Sequence, residues 1–434
     1  DHGTIGFIAT KTIFQGDTRD TGLKHLLARD GKLYRAIRML PWPGDAAVTV
    51  SVLNAAIGKP ARGIQFILDG REVESINSRL RPKPERADSS DLISNQGFSF
   101  QGSITLGSGF IISPDERAEL ICNSERNLSV IFEYLGGHEV NTSPTQDADR
   151  YVISFGEMGL DDAEKWPELL GILEKRVKPQ RDAQKDLQAR KFWWQFLRPR
   201  AELYSTIAPK TRCLVTACGA TKHMMFSFQP THRIFSHGLY VFGLDSYTAF
   251  AILQSRLHEL WSWLHCSTMK SDLRYSGSNC FVNFPFPKRS PGSVIPSLES
   301  CGEALYTERG KFMGDLCSGL TSFYNLLKDP ECTDDNIATL RQMHEALDRA
   351  VLDAYGWSDI EVPPYCPMNE EEASAVEEFN DEVIDRLYVL NTERAAKEKE
   401  EQKATSEKPA KKSRSEKSKK KSTATKNLPG IEDT

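Results

Sequence analysis

The hydrophobic period of this chain changes once, and the change limits the architectures open to it. Up to the Pro285-Phe286-Pro287 segment, short apolar runs stand between turn-forming residues and read as strands: Cys213-Leu214-Val215-Thr216-Ala217, Met225-Phe226-Ser227-Phe228 and Leu239-Tyr240-Val241-Phe242. Beyond Ser297 the pattern is helical. Ile337, Leu340, Leu347, Val351 and Tyr355 mark one helix, with Gly356 as its stop, and Val376, Phe379, Val383, Leu387 and Leu390 mark another. A purely helical or purely β architecture is therefore excluded, and the expected class is mixed α/β ending in a small helical bundle.

Charge narrows the partners. Residues 391–434 hold 13 Lys and Arg against 8 Asp and Glu, which leaves 42 bases and 52 acids for residues 1–390. The body is thus net −10, and a nucleic-acid contact there has to use a local basic patch. No apolar run approaches the ~20 residues of a membrane span, and the start Asp1-His2-Gly3 has no signal-like pattern, so a cytoplasmic protein is expected. Nine cysteines without a C-x-x-C pair read as free thiols in a reducing compartment.

Along the chain, Gly3 to Thr10 reads as a buried strand at the very start, as if the chain were cut within a domain. Ala46 to Leu53 reads as a second strand, and residues 1–80 as closing strands of an α/β sheet. The proline-bearing, charged segment Arg79 to Asp91 is a candidate linker. Short strands follow between Gly97 and Tyr151, around a helix opened by Pro114 and Asp115. Residues 161–200 turn helical. Phe250, Leu253, Leu257, Leu260, Trp261 and Leu264 predict one long helix capped by Asp245 or Ser246. Past Glu393, a Lys/Ser/Glu-rich tail is expected to be disordered.

Most catalytic motifs are missing: there is no G-x-x-x-x-G-K-[ST], H-E-x-x-H or G-x-S-x-G. Gly102 to Gly109 is glycine-rich but is followed by no lysine, so turn glycines are favoured over a phosphate loop. Cys213, Cys218, His223 and His232 are only loosely spaced like metal ligands, and core thiols with loop histidines are the favoured reading; no metal is expected. Val362-Pro363-Pro364-Tyr365 looks like the Pro-Pro-aromatic loop of amino-methylating DNA enzymes. Val362, however, cannot accept a hydrogen bond where those enzymes hold the target amino group, and an interhelical loop is favoured. Segment Arg190 to Arg200 interleaves bases with Phe192, Trp193, Trp194 and Phe196, a mix suited to nucleic acid, though packing is favoured. In Lys11 to Arg19, Gln15 and Arg19 could meet a base or phosphate, with Asp17 positioning Arg19.

Taken together, Ile5 to Arg19, Phe132 to Asn141, Phe192 to Phe196, Glu202-Leu203-Tyr204, Val241 to Asp245, Leu253 to Glu259, Leu273 to Ser276 and Phe284-Pro285-Phe286-Pro287 occur in the order of a known family. Over most of residues 3–360 the chain resembles adenine-N6 DNA methyltransferases of the single-chain Type II (IIG/IIL-like) restriction–modification systems and their phage-defence relatives. The resemblance implies that residues 1–80 form the C-terminal strands of a class I methyltransferase sheet and 81–290 an α+β target-recognition domain with connecting helices. Residues 291–392 would be a C-terminal helical domain and 393–434 the disordered Lys-rich tail.

Site residues follow from the resemblance. Gln15, Gly16 and Arg19 would form the active-site rim. Lys270, Asp272 and Arg274, ahead of the Phe-Pro-Phe-Pro element, would read bases, and their alternate spacing shares one face of an extended segment. Arg and Lys suit guanine O6 and N7, and Asp suits cytosine N4. Lys222, Arg198 and Arg200 are further DNA-contact candidates. The partner implied is double-stranded DNA, with a flipped adenine methylated from S-adenosylmethionine. The family's glycine-rich cofactor strand and Asn-Pro-Pro-[Tyr/Phe] loop are expected upstream of Asp1, in a methyltransferase half that a nuclease could accompany. No catalytic residue is then expected within this chain, which should not transfer methyl groups alone. Two alternatives stay open: a free-standing specificity subunit beside a separate catalytic chain, and a remnant whose exposed sheet edge promotes aggregation.

Overall fold

A computed structural model of the chain describes residues 3–14, 16–44, 48–58, 64–85, 88–269 and 272–417. The first unit is a mixed five-stranded sheet in the order Gly3–Thr10, Thr49–Ile57, Gly31–Pro41, Phe66–Leu68, Arg71–Val73. Its first three strands are antiparallel neighbours, and only Gly31–Pro41 with Phe66–Leu68 is parallel. Leu23, Leu33, Leu53, Leu68 and Leu80 fill a small core on one face. Gly3–Thr10 is not the buried strand its composition suggests: it is the sheet edge, with Ile5 48% and Ile8 58% exposed. An apolar sequence forms a strand readily, but burial requires a neighbour on each side.

The segment after this sheet is held rather than loose. Arg79 donates to the Leu264 carbonyl at 2.9 Å, and Arg71, Arg81 and Lys83 pair with Glu377, Asp381 and Asp385, spaced four apart on the last helix. Charges that looked like linker composition are the basic side of an ion-pair ladder.

Three further sheets follow. One is antiparallel, ordered Ser227–Pro230, Arg212–Ala217, Leu239–Phe242, Ser99–Gln101; the second is Ala220–Thr221, Asp272–Arg274, Ser267–Met269. The third is Ile234–Phe235, Ile131–Leu135, Arg150–Ile153, Ile111–Ile112. Helix Pro114–Asn123 starts where the sequence says: the Ser113 hydroxyl accepts from the Glu116 N–H, and the Glu116 carboxylate accepts from the Ser113 N–H. Residues 160–191 form four short helices against the third sheet. Trp194 and Phe196 sit in that core, Phe196 edge-on to Phe110 at 5.1 Å, so the aromatic run 192–196 packs.

The largest core joins the Arg212–Phe242 strands to the helices Pro296–Asp315, Leu320–Leu327 and Asp335–Tyr355 and crosses residue 290 without interruption. Inside it, buried Arg309 donates to the Phe226 carbonyl at 2.8 Å and lies 5.0 Å from the Phe250 and Tyr306 rings. The single helix expected over 246–264 is two, Tyr247–Gln254 and Arg256–His265, with Ser255 extended between them. The break is held from outside: the Asp348 carboxylate accepts from the Arg256 backbone N–H at 2.9 Å and from its guanidinium at 2.5 Å. Arg256 also donates to the Pro364 and Pro363 carbonyls. The Pro-Pro-Tyr loop is thus an interhelical anchor.

The last helix runs Glu370–Lys417, which corrects the disorder expected from Glu393 for residues 393–417. Alternating Ala, Glu, Lys and Arg favour helix, and side chains tie it down. Glu398 accepts from the Ile93 and Ser94 N–H groups, Arg394 donates to the Phe286 and Pro287 carbonyls, and Glu401 pairs with Arg289. Residues 418–434 lie outside the described residues. No helix among the described residues is long and apolar enough to cross a membrane.

Candidate nucleic-acid interface

Strand alternation places the proposed readers. In Asp272–Arg274, Leu273 is fully buried and Arg274 exposed, so Asp272 and Arg274 share the outer face; Lys270 lies outside the described residues. Ala220 pairs with Arg274 and Thr221 with Leu273, and Lys222 follows directly on that ladder. Exposed Lys222 donates to the Asn325 side chain at 2.9 Å, which joins this small sheet to the helix Leu320–Leu327.

Glycines let the neighbouring segments close on this strand. A Cβ at Gly277 would stand 2.1 Å from the Ser99 hydroxyl and 2.9 Å from the Tyr240 ring; one at Gly102 would stand 2.1 Å from the Ser236 carbonyl. With those approaches made, the Gln101 amide donates to the His237 carbonyl at 3.0 Å and the Cys218 thiol donates to the same oxygen at 3.1 Å. The Arg200 guanidinium reaches the Gln101 amide oxygen at 3.4 Å. Burial raises the Cys218 thiol's pKa, opposed by its hydrogen bond with Gln101 and the positive charge of Arg274. Arg274, Cys218, Gln101, His237 and Arg200 therefore form one surface patch.

Arg200 adopts a left-handed conformation (φ 64°) at the start of helix Ala201–Ile207, and exposed Arg198 precedes it, its backbone bridged to Ile104. Among the described residues no carboxylate pairs with Arg198, Arg200 or Arg274, whereas Arg81, Arg233, Arg256 and Arg386 are all paired. On an acidic body, three unneutralised guanidiniums beside amide and hydroxyl groups suit phosphate and base-edge contact. Ser278 and Asn279, both exposed and hydrogen-bonded at 3.1 Å, extend the polar rim. Gln101 and His237 were not anticipated; nothing local marks them, because their contact joins residues 136 positions apart.

The amino-terminal rim is different. Gln15 lies outside the described residues, and Gly16 opens the short helix Gly16–Thr21. Arg19 is 3% exposed and bonds Asp20 and Asp88, the latter at 2.5 Å, so carboxylates of the chain itself already neutralise it. Its holders among the described side chains are Asp20 and Asp88; the Asp17 side chain lies outside them. Burial opposes ionisation of Asp88, yet hydrogen bonds from Arg19 and Lys24 bring its pKa down to about 2. That shift places its contribution above the ordinary carboxylate pKa. At pH 7, Asp88→Asn should lower stability by about 1 kcal/mol after allowance for solvent screening. Urea melts of the two proteins at pH 7 check this, and equal midpoints would contradict it.

Cys213 is buried among strand residues with its thiol pushed up to about 12, and among the described residues no three His, Cys, Asp or Glu groups are placed to hold a metal ion. The Gly102–Gly109 stretch is no cradle either: Gly102 abuts Ser236, and a Cβ at Gly109 would meet the Arg176 carbonyl at 2.8 Å.

Comparison with known proteins bears on the fold and on one segment of the chain. The solved structure of the Type IIL restriction–modification enzyme MmeI in complex with DNA has a similar fold, with a TM-score of 0.64 at 18% identity over 88% of this chain. The chain spans about half (50%) of that protein's length. No curated protein matches. Residues 88–288, which contain every member of the patch, match the family model described as the MmeI target recognition domain.

Proposed function

We propose that this chain reads duplex DNA sequence, as the recognition part of a site-specific adenine-N6 DNA methyltransferase of a restriction–modification or phage-defence system. The observation that carries the reading is the set of Arg198, Arg200 and Arg274, without a carboxylate partner among the described residues, inside the segment that matches a target-recognition domain. Arg274 stands on a strand and reads a base edge; Arg198 grips phosphate. Methyl transfer belongs to residues beyond this chain, in the same polypeptide or in a separate catalytic subunit. The exposed edge strand Gly3–Thr10 suits either arrangement, since its free backbone groups can pair with a further strand.

The test is selection of bound duplexes from a random-sequence pool by the 434-residue chain. Enrichment of one motif is expected. Arg274→Ala should relax one position of that motif at a cost of about 1–3 kcal/mol, and Arg198→Ala should weaken all sequences alike and flatten the salt dependence. Absence of any enriched motif overturns the reading. Removal of residues 405–434 should also weaken all sequences alike. A cut at 394 is unsuitable, because Arg394 and Glu398 hold the helix to the body.

A further inference from the structure

Two buried thiols meet at the root of the hairpin that carries Asp272 and Arg274. Cys266 ends helix Arg256–His265 immediately before strand Ser267–Met269, and Cys280 lies in the helical turn Gly277–Phe281 after strand Asp272–Arg274. Both are free, 1% and 0% exposed. The Ser276 peptide joins them: its N–H donates to the Cys266 sulfur at 3.3 Å, and its carbonyl accepts from the Cys280 thiol at 3.1 Å and lies 3.8 Å from the Cys266 sulfur. Both sulfurs thus sit on the same peptide, one on each side of the hairpin's base. The buried Cys213 thiol, by contrast, donates to the Gln229 carbonyl at 3.6 Å.

The pair is chemically unequal. Burial raises Cys266. Burial acts the same way on Cys280, but the neighbouring Cys266 side chain and the Ser276 backbone pull the other way and hold Cys280 below an ordinary thiol. Cys280 is therefore the better nucleophile and Cys266 the resolving partner. Access comes through the hairpin, since Ser267–Met269 stands at the end of its three-stranded sheet among the described residues and is only three residues long.

We propose that Cys266 and Cys280 form a reversible disulfide that staples the root of the recognition hairpin. The oxidant is a low-molecular-weight disulfide. The Cys280 thiolate attacks one of its sulfurs and releases one thiol; Cys266, losing its proton, then attacks the mixed disulfide at Cys280 and releases the second. One S–S bond is formed as one is reduced. Closing the bond draws both sulfurs away from Ser276, two residues from Arg274, so the oxidised hairpin presents Arg274 differently. This consequence rests on the DNA-reading function proposed above; the disulfide itself does not.

The test treats the 434-residue chain with oxidised glutathione, blocks free thiols with iodoacetamide under denaturing conditions, and maps cysteines by mass spectrometry. The expected result is a Cys266–Cys280 linkage, a mass about 2 Da below the reduced form, with Cys213 still alkylated and full reversal by dithiothreitol. Cys266→Ala should trap glutathione on Cys280 instead. Alkylation of both cysteines in the treated wild type, or linkage of either to another chain, overturns the proposal. Retention of the random duplex pool is measured on both forms. A threefold or greater loss on oxidation supports the staple, and equal retention overturns its link to recognition. Retention by neither form sinks the DNA-reading function and leaves the disulfide to be decided by the mapping.

Discussion

Asp348→Ala should cost about 3–5 kcal/mol, the largest effect of any single substitution considered for this protein. Asp348 is 1% exposed, and its carboxylate faces Arg256, itself 8% exposed, between the helices Arg256–His265 and Asp335–Tyr355. Truncation leaves a guanidinium in the core with only the Pro363 and Pro364 carbonyls and the faces of Tyr365 and Phe379 for company. It also removes the acceptor for the Arg256 backbone N–H, which no earlier turn can satisfy because Ser255 is extended. Burial raises the Asp348 pKa against the pull of Arg256, so the ion pair is expensive to assemble as well as to break. Asp348→Asn keeps an acceptor and should be milder than Asp348→Ala. Urea unfolding of both variants measures the difference, and a loss under 1 kcal/mol for Asp348→Ala would contradict the role given to the pair.

Acid should unfold the protein well above the usual carboxylate range. His258 is fully buried, its Nε2 3.0 Å from the Tyr275 hydroxyl and its ring 4.6 Å from Phe284, and burial brings its pKa down to about 3. His265 and His344 are also pushed well below the ordinary value, first by burial and then by nearby arginines. Between the unfolded value of about 6.5 and the folded value the unfolded chain binds the proton and the native one does not, so stability falls as pH falls. For His258 alone the loss by pH 5 is about 2 kcal/mol, and the other two act in the same direction. Urea midpoints at pH 7.5, 6 and 5 should decline steeply. A midpoint unchanged from pH 7.5 to pH 5 would show that these rings are not neutral and buried.

How legible the protein was depends on the range of the interaction that decides each feature. The start of helix Pro114–Asn123 and the end of Asp335–Tyr355 at Gly356, with φ 79°, follow from residues within one turn of the boundary. So do the strands Arg212–Ala217 and Leu239–Phe242, whose composition suits a buried sheet. In the candidate site, Arg274 and Asp272 were placed on one face by alternation, a local rule. The interruption at Ser255 was invisible because the apolar spacing continues through it and its cause, Asp348, lies 92 positions away.

Sequence alone determined the switch from strand to helical periodicity, the acidic body and the exposed outer face of the Asp272–Arg274 strand, because each depends on residue type and spacing over a few positions. Tertiary structure decided which charges are spent and which remain available. Arg19 is neutralised by Asp88, 69 residues on, whereas Arg200 meets the neutral amide of Gln101, 99 residues before it, and Gln101 in turn meets the His237 carbonyl, 136 residues on. Whether an arginine faces DNA or a carboxylate is set by what folding brings within about 3 Å of it, and no local pattern of residues records that neighbour.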